Sequence, residues 1–211
     1  MIRVLMADDH TIVREGIRQL LTETADLVMA GEARNGAELI QRIREASWDV
    51  LLMDLSMPGR NGIELIRYIK TEAPKLPILI LSMHTEDQYA VRAFKAGASG
   101  YLTKDSASSQ LVAALKKVAA GGVYVSASVA ERLALGVMPR AESLTHEILS
   151  NREYQIFQMI VGGAKVSEIA RMLSLSVKTV STHKGRILKK MNLRSAADMV
   201  RYAIQNHLVD G

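Results

Sequence analysis

Ile2-Arg3-Val4-Leu5-Met6-Ala7-Asp8-Asp9 opens the chain with an apolar run that stops abruptly at two acids. Val4, Leu5 and Met6 in succession, followed by a polar break, read as a strand buried on both faces. Val50-Leu51-Leu52-Met53-Asp54 repeats the design with a single acid at its end. Leu27–Ala33, Ile78–Leu81 and Gly100–Leu102 are further short apolar runs of the same kind. Between and after them lie segments with helical spacing. These carry Ile12, Ile17, Leu20 and Leu21, then Leu39, Ile40 and Ile43, then Ile63, Ile66 and Ile69. Val91, Phe94 and Ala96 mark a fourth, and Leu111, Ala114, Leu115 and Val118 a fifth. Strands alternating with helices predict an α/β fold, a doubly wound five-stranded parallel sheet. Ligands bind such sheets beyond the carboxyl ends of the strands, where the strand order reverses.

Strand-end residues therefore come first. With strand order 2-1-3-4-5, the first and third strands are neighbours, and Asp8, Asp9 and Asp54 converge at one edge. Three crowded carboxylates repel one another. A hard divalent cation neutralises them, and Mg²⁺ suits carboxylates plus a phosphate. Ser82 ends the fourth strand and Lys104 follows the fifth. A carboxylate nucleophile, a metal, a hydroxyl and an ammonium together suit phosphoryl transfer onto an aspartate. A lone Asp at a strand end is more often a turn residue or helix cap. Five such residues in order at the strand ends are not well explained that way.

The 211-residue length favours two small domains, and charge divides the chain in the same sense. Residues 1–125 hold 15 bases and 15 acids, whereas residues 143–211 hold 10 bases and 5 acids. No acid occurs from Ile169 to Ala197, a stretch with seven bases. Such asymmetry points to a polyanionic partner for the last third. The alternative, a merely solvated helix face, is the weaker reading.

The pattern there is wholly helical. Ser150-Asn151-Arg152-Glu153 is a capping box that opens a helix ending at Gly162-Gly163. A second helix spans about 166–173, and Ser174-Leu175-Ser176 turns the chain into a third, from Val177 to about Met191. A fourth runs from about Ser195 to Asn206. Two short helices joined by a tight turn, the second one basic, form a helix-turn-helix. Val177, Val180, Ile187, Leu188 and Met191 make the inward stripe of the third helix. Lys178, Ser181, Thr182, Gly185 and Lys189 recur on another face. The stretch to Leu149 before this module is weakly patterned. It holds a possible short helix at Ser126–Leu135 and a linker from Gly136 to Ser143.

Two resemblances follow. Asp8-Asp9, Asp54, Met57-Pro58-x-x-x-Gly62, Ser82 and Lys104 have the order and spacing of bacterial response-regulator receiver domains. Leu149-Ser150-x-Arg152-Glu153, Gly162, Glu168-Ile169-Ala170, Leu173, Ser176-x-Lys178-Thr179-Val180, His183 and Leu188-x-Lys190-Met191-x-Leu193 are similar to LuxR-type helix-turn-helix domains. The pair resembles a response regulator of the NarL/FixJ class. It implies a flavodoxin-like receiver over 1–121, a linker over 122–146, and an all-α four-helix DNA-binding domain over 147–211.

By that resemblance Asp54 is the phosphoacceptor, and Asp8, Asp9, Asp54 and the backbone carbonyl of Ser56 serve Mg²⁺. Lys104 pairs with the phosphate, Ser82 swings to it, and Tyr101 follows the hydroxyl inward as a switch. Asp105 stands where many receivers carry proline. In the basic module Ser181, Thr182 and position 185 would read base edges, although Gly185 has no side chain to do so. Lys178, Thr179, Lys184 and Lys189 would contact phosphates, with His183 and Arg186 on the same helix. Lys165 stands where the family usually has Ser or Thr as a helix cap.

The implied protein is a phosphorylation-controlled transcription regulator, not a turnover enzyme. A sensor histidine kinase donates the phosphoryl group. Double-stranded DNA, RNA polymerase and a second copy of the chain are its other partners. The receiver would restrain the recognition helix until it is phosphorylated. An Asp-nucleophile phosphohydrolase is a rival, but such enzymes carry Asp-x-Asp after the first strand, and here the paired acids are adjacent. A regulator indifferent to phosphorylation is the nearer rival. No cysteine is present, so disulfides and thiolate metal sites are excluded. No apolar run reaches the length of a membrane span and no signal-peptide pattern opens the chain, so a cytoplasmic protein is expected.

Overall fold

The structure, a computed structural model, describes residues 1–57, 62–83, 87–106, 108–135, 145–206 and 208. It divides into two compact units, Met1–Met138 and Pro139–Gly211. Pro58, His84, His207 and the expected linker at 136–143 lie outside the described residues.

The first unit is a five-stranded parallel sheet in the order β2-β1-β3-β4-β5. Its strands are β1 (Ile2–Ala7), β2 (Leu27–Ala33), β3 (Val50–Met53), β4 (Ile78–Ser82) and β5 (Gly100–Thr103). The helices that connect them are α1 (Thr11–Thr22), α2 (Gly36–Glu45), α3 (Gly62–Glu72) and α4 (Asp87–Ala96), and α5 (Ser108–Ala119) follows β5. Val4, Met6, Val50, Leu52, Leu79 and Leu81 form one core layer with Leu111, Leu115 and Val118 of α5. The central strands are buried on both faces, which is why they read as continuous apolar runs.

One expectation is corrected on α1. Ile12 does not line its buried face but is 85% exposed, and Arg14, with Ile17 and Leu21, faces inward. Those three positions recur at i, i+3 and i+7, so the helical period holds while a charged residue takes an apolar place. Trp48 packs at the end of α2, where its indole N–H donates to the Arg42 carbonyl at 3.0 Å.

After α5 the chain returns along the sheet edge. Tyr124 forms an isolated parallel bridge with Gly100, and the Tyr101 amide donates to the Tyr124 carbonyl at 3.1 Å. A sixth helix, α6 (Ala127–Leu135), then packs against α4 and buries Val129.

Among its described residues the second unit holds a short 3₁₀ turn (Thr145–Ile148) and four helices. These are α7 (Asn151–Val161), α8 (Val166–Met172), α9 (Val177–Lys190) and α10 (Ala196–Gln205). Tyr154, Ile156, Phe157, Ile169, Val180, Ile187 and Met199 form its core. Val177, expected on the inward stripe of α9, is 53% exposed instead. It is the first residue of the helix, before the stripe has turned inward. The tight turn between α8 and α9 is made by Ser174 at φ 52°, a left-handed conformation that short polar residues tolerate.

Candidate functional site

Parallel pairing brings the strand ends into line. Beyond β1, the Asp8 amide donates to the Ala33 carbonyl at 3.1 Å, and the Asp54 amide to Ala7 at 2.8 Å. The Lys104 amide donates to the Ser82 carbonyl at 2.8 Å. Asp8, Asp54, Ser82 and Lys104 are thus fixed by their backbone at the same edge. Asp8, Asp54 and Ser82 are buried, while Asp9 keeps a third of its side chain exposed.

Lys104 joins the acids. Its Nζ donates to Asp8 Oδ2 and to Asp54 Oδ2, both at 2.7 Å, with only 9% of the side chain exposed. Burial alone pushes the ammonium down, but hydrogen bonds and attraction from Asp54 and Asp8 outweigh it and hold it above the usual lysine range.

Asp54 Oδ1 accepts from the Ser56 amide at 2.9 Å, which orients the carboxylate and bends the loop after β3. Gly62 completes that loop. A Cβ there would sit 2.5 Å from the Leu55 carbonyl oxygen, so only glycine allows α3 to start so close to the strand.

Asp8, Asp9 and Asp54 present carboxylate oxygens within 4.8 Å of one another, together with a ring nitrogen of His10. An all-oxygen carboxylate set of this kind fits a hard divalent cation such as Mg²⁺. His10 belongs to this cluster although the sequence reading assigns it no role. Its Nδ1 lies 3.0 Å from Asp8 Oδ1 and 3.2 Å from Asp9 Oδ1, and its amide donates to Asp8 Oδ1 at 2.7 Å. Adjacency to the paired acids was the available signal. Tyr101 is buried on β5 and lines a cavity of about 340 Å³ with Thr103, Ser106, Gln110, Tyr124 and Val129.

The second unit presents α9. Ser176 caps it, accepting from the Thr179 amide at 3.0 Å. Lys178, Ser181, Thr182, Gly185, Arg186 and Lys189 are exposed along it, and Thr179, His183 and Lys184 are half-buried. Two hydroxyls on this helix are already engaged. Thr182 Oγ1 donates to the Lys178 carbonyl at 2.9 Å, and Thr179 Oγ1 lies 2.8 Å from Ser176 Oγ. His183 feels the charges of Arg152 and Glu153 on α7, and its Nδ1 is buried without a hydrogen-bond partner. Desolvation and the Arg186 charge, with Arg152, hold this imidazole below its usual value against the pull of Glu153.

Lys165 supplies no side-chain cap to α8, but its amide donates to Glu168 Oε2 at 2.9 Å, so half of a capping box survives. No described helix is long and apolar enough to cross a membrane.

Comparison with known proteins agrees with both halves. Residues 4–116 match the response regulator receiver domain, and residues 147–203 match the bacterial regulatory proteins of the luxR family. The chain is 38% identical over 211 residues to the response regulator GacA of Pseudomonas viridiflava, covering all of this chain and 99% of that protein. It is 37% identical over 209 residues to UvrY of Escherichia coli (strain K12), covering 99% and 96%. RcsB from Salmonella enterica serovar Typhimurium, solved bound to the promoter rprA with the phosphomimetic BeF3⁻, is 29% identical. That match has a TM-score of 0.67 and covers 96% of this chain and 98% of RcsB. The chain belongs to the response regulators of the NarL/FixJ class, with a receiver domain followed by a LuxR-type helix-turn-helix domain.

Proposed function

We propose that this response regulator accepts a phosphoryl group on Asp54 from a sensor histidine kinase and, so modified, binds promoter DNA as a dimer through α9. The observation that carries the reading is the Lys104 bridge, with Nζ 2.7 Å from both Asp8 and Asp54. In this reading the Lys104 ammonium lies against the carboxylate that would become phosphorylated.

In the reaction an Asp54 carboxylate oxygen attacks phosphorus, the P–N bond of the donor phosphohistidine breaks with its electron pair returning to the imidazole, and an aspartyl phosphate forms. Mg²⁺, held by Asp8, Asp9, Asp54 and the Ser56 carbonyl, would supply positive charge to the phosphoryl oxygens. Lys104 exchanges an aspartate oxygen for a phosphoryl oxygen, a charge-assisted contact of the same type. Ser82, at the end of β4, would then turn to the phosphoryl group and Tyr101 would follow it.

Residues 1–121 would be the phosphoacceptor module, 122–146 the joint and 147–211 the DNA-binding module. Lys178, Thr179, Lys184, Arg186 and Lys189 would contact phosphates. Ser181, Thr182 and the surface at Gly185 would face base edges, with His183 at the rim. A cytoplasmic location, contact with RNA polymerase and pairing of two copies through α10 complete the reading.

The test is binding to a selected DNA site at fixed salt, with and without beryllofluoride plus Mg²⁺, for wild type and Asp54→Ala. Tightening in wild type alone supports the reading. Equal binding in all four samples would leave a DNA-binding protein indifferent to phosphorylation.

A further inference from the structure

Arg14 is only 4% exposed, and it has no part in the phosphoryl transfer above. Its guanidinium makes three directed contacts. One nitrogen (Nη1) donates to the Asp8 backbone carbonyl at 2.8 Å, another (Nη2) to the Thr11 hydroxyl at 3.3 Å, and Nε to Glu32 Oε2 at 3.1 Å. Glu32 lies on β2, in register with Met6 of β1, and is paired with Arg18 as well.

β1 ends at Ala7, so the Asp8 carbonyl has left the strand ladder and is buried. A buried carbonyl needs a partner, and the shortest arm of the Arg14 fork supplies it. The loop that carries both acids is therefore held at three points. The Asp8 amide is fixed to β2, the His10 amide is fixed to the Asp8 carboxylate, and the Asp8 carbonyl is fixed to Arg14.

We propose that Arg14 is a positioning residue for the divalent cation, setting the backbone from which Asp8 and Asp9 present their carboxylates. The inference rests on reading this acid cluster as a Mg²⁺ site. A planar guanidinium fixes direction at several nitrogens together, which a lysine ammonium does not. Groups that orient metal ligands are commonly worth about 10–100-fold in metal affinity. Arg14 differs from Lys104 in kind, since Lys104 touches the carboxylates themselves and Arg14 acts only through backbone.

The experiment uses the full chain, with Mg²⁺ titrated calorimetrically into wild type, Arg14→Met, Arg14→Lys and Glu32→Gln. Hydrogen exchange of the Asp9 and His10 amides in metal-free protein is measured alongside, as are unfolding midpoints. Arg14→Met should weaken Mg²⁺ binding at least about tenfold and speed exchange at those amides. Arg14→Lys should restore the unfolding midpoint more than the Mg²⁺ affinity. Glu32→Gln leaves Arg14 in place but removes the charge of one of its three partners and should fall between, which keeps the test alive if Arg14→Met does not fold. Mg²⁺ affinity within about twofold of wild type across the folded variants would overturn the inference alone. Absence of Mg²⁺ binding by wild type would overturn both the inference and the reading beneath it.

Discussion

Glu153, the third residue of α7, accepts a 2.6 Å hydrogen bond from Lys190, the last residue of α9. The same carboxylate oxygen accepts from the Ser150 amide at 2.8 Å. One buried oxygen thus closes the capping box of the first helix and fastens the far end of the recognition helix. Burial pushes Glu153 up, but Lys190 and the Ser150 groups outweigh it and hold the carboxyl below the usual glutamate range.

A pH dependence follows from that direction. A carboxyl whose folded value lies below its unfolded value, about 4.3, adds stability above that value and loses it as pH falls through the folded one. The second unit should therefore weaken below about pH 4. Lys190→Met should flatten this acid limb, since burial then pushes Glu153 back up. It should also cost about 1–2 kcal/mol at pH 7, less than a fully buried pair because Lys190 is 42% exposed. Amide exchange in α7 and α9 between pH 3 and 7 reads both effects. Identical acid limbs in wild type and Lys190→Met would contradict the assignment.

Removing Lys104 tests a buried charge pair of the first unit. Lys104→Met leaves two buried carboxylates, Asp8 and Asp54, without their shared cation. Breaking a buried pair of this kind costs about 3 kcal/mol or more. The variant should unfold earlier than wild type in EDTA. Mg²⁺ should raise its midpoint more than that of wild type, because binding to the native state alone stabilises it and relieves a larger repulsion there. A larger Mg²⁺ effect on wild type would argue against the shared-cation picture.

The sheet is legible because burial on both faces leaves only apolar residues in Val4–Ala7 of β1, in β3 and in Ile78–Leu81 of β4, so each strand end is marked by the first polar side chain after the buried run. Asp8, Asp54 and Ser82 are those markers, and their convergence follows from strand order alone. Ile12 misled because hydrophobicity was read without the helix entry. At the second position of α1 it has not yet turned toward the sheet, and it stands 85% exposed. Arg14 was illegible for the reverse reason, since a charged side chain inside an apolar stripe declares itself only when its partners, Glu32 and the Asp8 carbonyl, are in place. The half-buried setting of His183 likewise depends on α7, which lies elsewhere in sequence.

Gly185 is a helix-interior glycine with no internal reason to be one. A Cβ there would meet nothing within 4 Å, and its φ is not positive. Gly185→Ala should therefore stabilise the second unit by about 0.5–1 kcal/mol. Gly185→Asp, which places an acid in the acid-free face, should weaken DNA binding by about tenfold or more while leaving the fold intact. Thermal unfolding and DNA titration on the same samples separate the two effects. Unchanged DNA affinity in Gly185→Asp would remove this face of α9 from the interface.

Salt dependence distinguishes lysines that look alike in sequence. With five to seven phosphate contacts, log K against log salt should have a slope of about −4.5 to −6. Lys189 is exposed on α9, and its neutralisation in Lys189→Gln should reduce the slope by about 1. Lys190 is committed to Glu153, so it has little charge to spend on counterion release. Lys190→Gln should leave the slope nearly unchanged and lower affinity only through a loosened recognition helix. Its affinity loss should therefore be similar at low and high salt, whereas that of Lys189→Gln should shrink as salt rises. Equal slope changes for the two variants would mean that DNA draws Lys190 away from Glu153.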